Sequence, residues 1–104
     1  MSTSYDDMMH QASHLDHDLH NKLDNPHSYE AKRLQAKMHE FKEMTQGNHS
    51  DPRHVADKAR DLREHFHRVE HLPNGQQIMN SGQARTYRDQ FSKIYETSRY
   101  LHHY

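Results

Sequence analysis

Apolar residues return every three or four positions through most of this chain, and proline and glycine separate the runs. That period sets them on one face of a helix, whereas a half-buried strand would alternate every second residue. In the first run Tyr5, Met8, Met9, Ala12, Leu15, Leu19 and Leu23 share a face. The second run is Ala31, Leu34, Met38, Phe41 and Thr45, and the third is Val55, Ala59, Leu62, Phe66 and Val69. The fourth is Ala84, Tyr87, Phe91, Ile94, Ser98 and Leu101. No window shows sustained period-two alternation, so no strand is predicted.

The punctuation places the ends. Ser4 with Asp7 reads as a capping box. Asn25 followed by Pro26 reads as a cap and a first helical residue, as does Asp51 with Pro52. Gly47 stops the second helix, Leu72-Pro73-Asn74-Gly75 ends the third, and the fourth begins near Asn80 or Ser81. The predicted helices run over about 4–24, 26–46, 52–72 and 81–102, joined by turns at 47–51 and 73–80. Steps of three and four suit helices packed at shallow angles. The expected fold is all-α: a four-helix up-down bundle forming a single helical domain over 1–104. An extended helical hairpin paired with a second copy is the alternative.

Core material is scarce. Leu, Ile, Val and Phe number 14 of 104 residues, below the rough 20% at which disorder becomes common. Yet 14 basic residues nearly cancel 15 acidic ones, whereas disorder usually needs a large net charge. The seams also contain Ala31, Thr45, Ala59, Ala84 and Ser98, and burial contributes only about 25 cal/mol per Å². The expectation is a marginal monomer that forms a homo-oligomer, completing the bundle by dimerisation, or docks on a partner protein. Met44, Met79, Tyr95 and Tyr100, left over from the seams, would supply the contact surface.

Several function classes lose their chemistry here. There is no Cys, which removes disulfides, thiolate nucleophiles and Cys-type zinc sites. Gly47, Gly75 and Gly82 lie too far apart for a phosphate loop, and no G-x-S-x-G elbow occurs. No run approaches the roughly 20 apolar residues of a membrane helix. The first ten residues resemble no secretory signal, so a cytoplasmic setting is expected. The chain reads as non-enzymatic and without an obligate cofactor.

Thirteen residues are His. His10, His14 and His17 follow one ridge opposite the apolar face of the first helix, with His20 at its flank. Pairs at that spacing can chelate Zn, Ni or Cu, though weakly without a thiolate or buried carboxylate. Otherwise they form a solvated polar face. Crowding of charge on this ridge in acid would loosen the bundle unless nearby Asp compensates. With ordinary His values the net charge is about +2 at pH 7 and about +11 near pH 5.5.

His67-Arg68-Val69-Glu70-His71 spells H-x-x-E-H, the inverted zinc-protease motif. Both His lie off the Phe66 and Val69 face, and Glu96 is the only Glu among the last 33 residues to serve as a further ligand. Surface chelation by His67 and His71 is the metal reading that survives. The helix-by-helix set His14 or His10, His39 with Glu43, and His67 with His71 is similar by residue type to the inward-facing metal ligands of the hemerythrin-like family. The fourth helix departs from that pattern, since Asp89 has Ala84 and not His five residues before it. His39 and Glu43 also lie opposite Leu34, Met38 and Phe41, so the family is not assigned. His54 and His65 border the third seam, and His102 and His103 lie at the terminus.

Charge is uneven along the chain. Residues 1–24 sum to −4, 25–50 to +1, 51–72 to 0 and 73–104 to +2. The acidic first helix and basic last helix would be neighbours in an up-down bundle. Arg85, Arg88, Lys93 and Arg99, with Tyr95 and Tyr100, could instead meet a partner or nucleic-acid phosphates. Nucleic acid is the weaker reading, because the sequence pI is about 6.9. Three readings remain: a protein-interaction module acting as regulator, inhibitor or adaptor; a His-based metal-binding bundle; and a nucleic-acid binder through the last helix.

Overall fold

The computed structural model describes residues 5–46, 52–73 and 75–102, with side chains from 7, 10, 11, 13–45, 53–73 and 75–100. Its four helices are α1 (Tyr5–Lys22), α2 (Tyr29–Gln46), α3 (Pro52–Glu70) and α4 (Ser81–His102). The expected cap at Ser4, the stop at Gly47 and the cap at Asp51 lie outside the described residues, as do the side chains of Leu101 and His102 and all of His103. α1 packs on α2, α2 on α3, and α3 most closely on α4, with α4 returning lightly to α1. This is the all-α bundle that the seams predict.

Two helix starts show how local chemistry decides a boundary. Asn80 caps α4 as expected: its Oδ1 accepts from the N–H groups of Gly82 at 2.8 Å and Gln83 at 3.4 Å. α2 does not start at Asn25 and Pro26. Ser28 donates its N–H to the Asn25 carbonyl at 3.2 Å, closing a turn. Its Oγ then accepts from Ala31 N–H at 3.2 Å. Ser28 is thus the cap, and Pro26 lies in the turn, where its carbonyl accepts from Gln35 Nε2 at 3.0 Å.

α3 stops at Glu70, short of the predicted 72. His71 and Leu72 donate to the carbonyls of Arg68 and Val69 at 3.1 and 3.4 Å, tightening the last turn. Gln76 N–H then meets the Pro73 carbonyl at 3.0 Å. Gly75 adopts φ 91° there, a value that side-chain-bearing residues rarely take. The segment that follows is more than a turn. Asp24 N–H donates to the Ile78 carbonyl at 2.7 Å, and Leu23 pairs with Met79 in a single antiparallel bridge. Ile78 and Met79 are buried, so Met79 belongs to the core and not to an exposed contact surface. It caps the end of the bundle where α1 ends and α4 begins.

Three phenylalanines centre the core. Phe91 stacks on Phe66 with centroids 5.8 Å apart and meets Phe41 edge-on at 5.3 Å, while Phe66 lies 5.0 Å from Tyr87. Ala31, Ala59 and Ala84 are fully buried; small residues at such points let helices approach closely. Buried Thr45 donates its hydroxyl to the Lys42 carbonyl at 2.9 Å. Met44, Leu72 and Tyr95 pack partly against this core. Among the described residues, Tyr29 and Tyr100 are the large hydrophobics left exposed, at 74% and 61%. The seams therefore close more completely within one chain than their composition suggests. No described helix is long and apolar enough to cross a membrane.

Ion pairs follow the helix neighbours. Asp16 faces His39 at 3.5 Å and Lys42 at 3.7 Å across α1 and α2. Lys37 with Asp61 at 3.1 Å and Lys58 with Glu40 at 2.9 Å join α2 to α3. The basic residues Arg85 and Arg88 of α4 reach toward α3, not toward acidic α1.

Candidate functional site

Position 70 follows Val69 of the α3 seam by one residue and Phe66 by four, so helical geometry sets it at the edge of the buried face. Its side chain is 5% exposed. A buried carboxylate needs cations, and α4 supplies two. Arg85 Nε donates to Oε2 at 2.9 Å, with Nη2 also at 2.9 Å, and Arg88 Nη1 donates to Oε1 at 3.0 Å. The Arg85 hydrogen bond, helped by Arg88, holds the Glu70 carboxyl below the usual range despite the opposing effect of burial.

This arrangement decides what the H-x-x-E-H sequence can do. His67, Glu70 and His71 bring ligand atoms within 4.8 Å of one another, the one such trio among the described residues. The two imidazoles sit edge-to-face with centroids 4.8 Å apart. Yet both Glu70 oxygens are committed to guanidinium groups, and Arg88 Nη1 lies 3.3 Å from His67 Nδ1. A divalent cation that takes Glu70 as a ligand would have to compete with both guanidinium groups. Glu70 with Arg85 and Arg88 thus forms an ionic lock between α3 and α4.

The other expected metal residues do not converge. His10, His14 and His17 are all exposed. His14 Nε2 pairs instead with Asp18 at 3.1 Å. His20 Nδ1 lies 3.1 Å from Gln35 Oε1. His39 stands outside the bundle between Asp16 and Glu43, at 3.5 and 3.3 Å. This outward placement removes it from any interior ligand set of the hemerythrin kind.

Further along the same α3–α4 face, Arg63 and Arg99 both lie over the Tyr95 ring, with Cζ 5.1 and 5.5 Å from its centroid. Tyr95 is half-buried and packs against the core, which fixes the ring, while Arg99 is exposed. Arg85, Arg88, Arg99 and Tyr95 therefore share one face. Lys93 and Tyr100 are exposed but lie about 200° and 140° around α4 from Tyr95, so they do not join it. Arg63, which is not among the basic residues expected at this surface, joins the face from α3. Its position one residue after Leu62, on the side of α3 turned to α4, was the available signal.

His65 divides from His54. His54 is exposed, whereas the His65 side chain is 3% exposed between α2 and α3. Burial, then the positive charges of Lys37, Arg68 and Arg33, push its pKa down to about 4, with Glu30 acting the other way. The ring is therefore neutral near pH 7.

No protein-family model, curated protein or solved structure matches the chain.

Proposed function

We propose that this chain is a non-enzymatic helical module that binds an acidic partner protein through the outer face of α3 and α4. The observation that carries the reading is Tyr95, fixed by the core and overlaid by Arg63 and Arg99. Tyr and Arg are the side chains that most often dominate binding energy at protein interfaces. A ring already held in place loses little freedom on binding, and the two cations are set to meet carboxylates. Arg85 and Arg88 extend the positive edge, although Glu70 neutralises part of it. The lack of Cys is compatible with a cytoplasmic setting, which is part of the same proposal.

Affinity capture from cell extract tests this, using the wild-type chain beside an Arg63→Glu, Arg99→Glu variant of unchanged helicity. The expected result is a protein retained by the wild type, released by salt and lost from the variant. Identical retention by both chains overturns the proposal. Capture abolished by nuclease treatment would transfer the face to nucleic acid.

A further inference from the structure

On the other side of α3, a cleft of about 280 Å³ opens between the start of α2 and the end of α3. Glu30, His65, Arg68, Val69, Leu72 and Gln76 line it. His65 is buried, and its Nδ1 has no hydrogen-bond partner. Its Nε2 points toward Glu30 but stops 3.9 Å from Oε2, too far for a hydrogen bond. Among the described residues, the cation paired with Glu30 is Arg33, at 4.0 Å. Val69 and Leu72 add an apolar wall beside these charges.

A buried imidazole without partners is costly, and native structures usually satisfy such groups with protein, water or ligand. The cleft therefore presents a carboxylate, a guanidinium, a neutral ring able to donate or accept, and an aliphatic surface. A simple anion would meet Glu30, and a simple cation would meet Arg68 and Arg33. A molecule carrying both charges meets neither objection. We propose that this cleft binds a small zwitterion, an α-amino acid with an aliphatic side chain. Its ammonium group pairs with Glu30 and its carboxylate with Arg68. Its side chain lies on Val69 and Leu72, and its polar end hydrogen-bonds the unpartnered His65 ring. The volume of about 280 Å³ accommodates a molecule of amino-acid size. The site stands apart from the α3–α4 face and does not depend on a partner protein there.

The test is a titration of the full chain with leucine at pH 7, followed by NMR of the His65 ring nitrogens and the Leu72 methyls. Leucinamide, which lacks the carboxylate, and 4-methylpentanoate, which lacks the ammonium group, serve as probes of each charge. The expected result is saturable movement of both signals with leucine at millimolar concentration. Each single-charge analogue should bind at least tenfold more weakly. Arg68→Gln and Glu30→Gln, both at exposed positions, should each weaken leucine by a similar factor while leaving the helical spectrum unchanged. Unmoved signals at tens of millimolar leucine would overturn the proposal. So would equal binding of either analogue, because the site would then select one charge and not the pair.

Discussion

Arg85 reaches Oε2 of Glu70 with both Nε and Nη2 at 2.9 Å, tying the last residue of α3 to the second turn of α4. A carboxyl held ionised in this way stabilises the fold above its unfolded pKa, about 4.3. The contribution disappears as pH falls through the lower folded value. Glu70→Gln should therefore melt below the wild type at pH 7, with the gap steady down to about pH 5 and closing below about pH 4. Thermal melts of the two chains across that range measure it; a gap that grows in acid would show that Glu70 is not held ionised.

His65 works in the same direction through the opposite chemistry. Its folded pKa of about 4 lies below the ordinary 6.5, so the folded chain resists the proton that the unfolded chain accepts. Stability from the neutral ring is complete above about pH 6.5 and is lost between there and about pH 4. The groups facing it are Glu30, Arg33 and Lys37 from α2 and Arg68 from α3. The loss is on the order of 3 kcal/mol. Urea unfolding at pH 7 and pH 4.5 should show His65→Leu with a flatter pH dependence than the wild type.

The helices were legible because their seams follow a single period, and Asn80 capped where its side chain predicted. The start of α2 was misplaced because Asn25 and Ser28 both satisfy cap chemistry. Here the Asn25 carbonyl closes a turn onto Ser28 N–H, and Gln35 folds back onto the Pro26 carbonyl beside it. Met79 escaped because it belongs to no helical period and is buried by an end-of-bundle bridge to Leu23. The lock was hidden for a different reason. Glu70 reads as a metal-site Glu between His67 and His71 until α4 is laid beside it. Only the pairing of α3 with α4 shows that Arg85 and Arg88 arrive first.

The α2 boundary gives a direct comparison. Ser28→Ala removes the acceptor for Ala31 N–H and should cost about 1 kcal/mol. Asn25→Ala leaves the backbone turn to Ser28 intact and should stay within about 0.5 kcal/mol of wild type. Chemical denaturation of both variants separates the two caps.

Phe91 touches rings from two other helices, Phe41 of α2 and Phe66 of α3. In a core with so few large side chains there is little to collapse into the space that Phe91→Ala would leave. The expected loss is about 3–5 kcal/mol, a large share of the 5–15 kcal/mol typical of a whole domain. Denaturant midpoints should record it, and a loss below about 1 kcal/mol would mean that the three rings do not form the centre of the fold.

Zinc offers the sharpest check on the lock. A neutral imidazole has one lone pair for an acceptor role, and when Arg88 donates to His67 Nδ1 the ring proton sits on Nε2. Metal binding by His67 and His71 must then break that contact, and recruiting Glu70 as a third ligand would pull its carboxylate from the guanidinium groups. The wild-type melting temperature should be nearly unmoved by equimolar zinc. Arg85→Ala with Arg88→Ala frees the carboxylate and lowers the local positive charge, at some cost to basal stability. Zinc should stabilise that variant in a chelator-reversible way, approaching about 3 kcal/mol at a hundredfold excess over Kd. Equal stabilisation of both chains would mean that the arginines do not guard the trio.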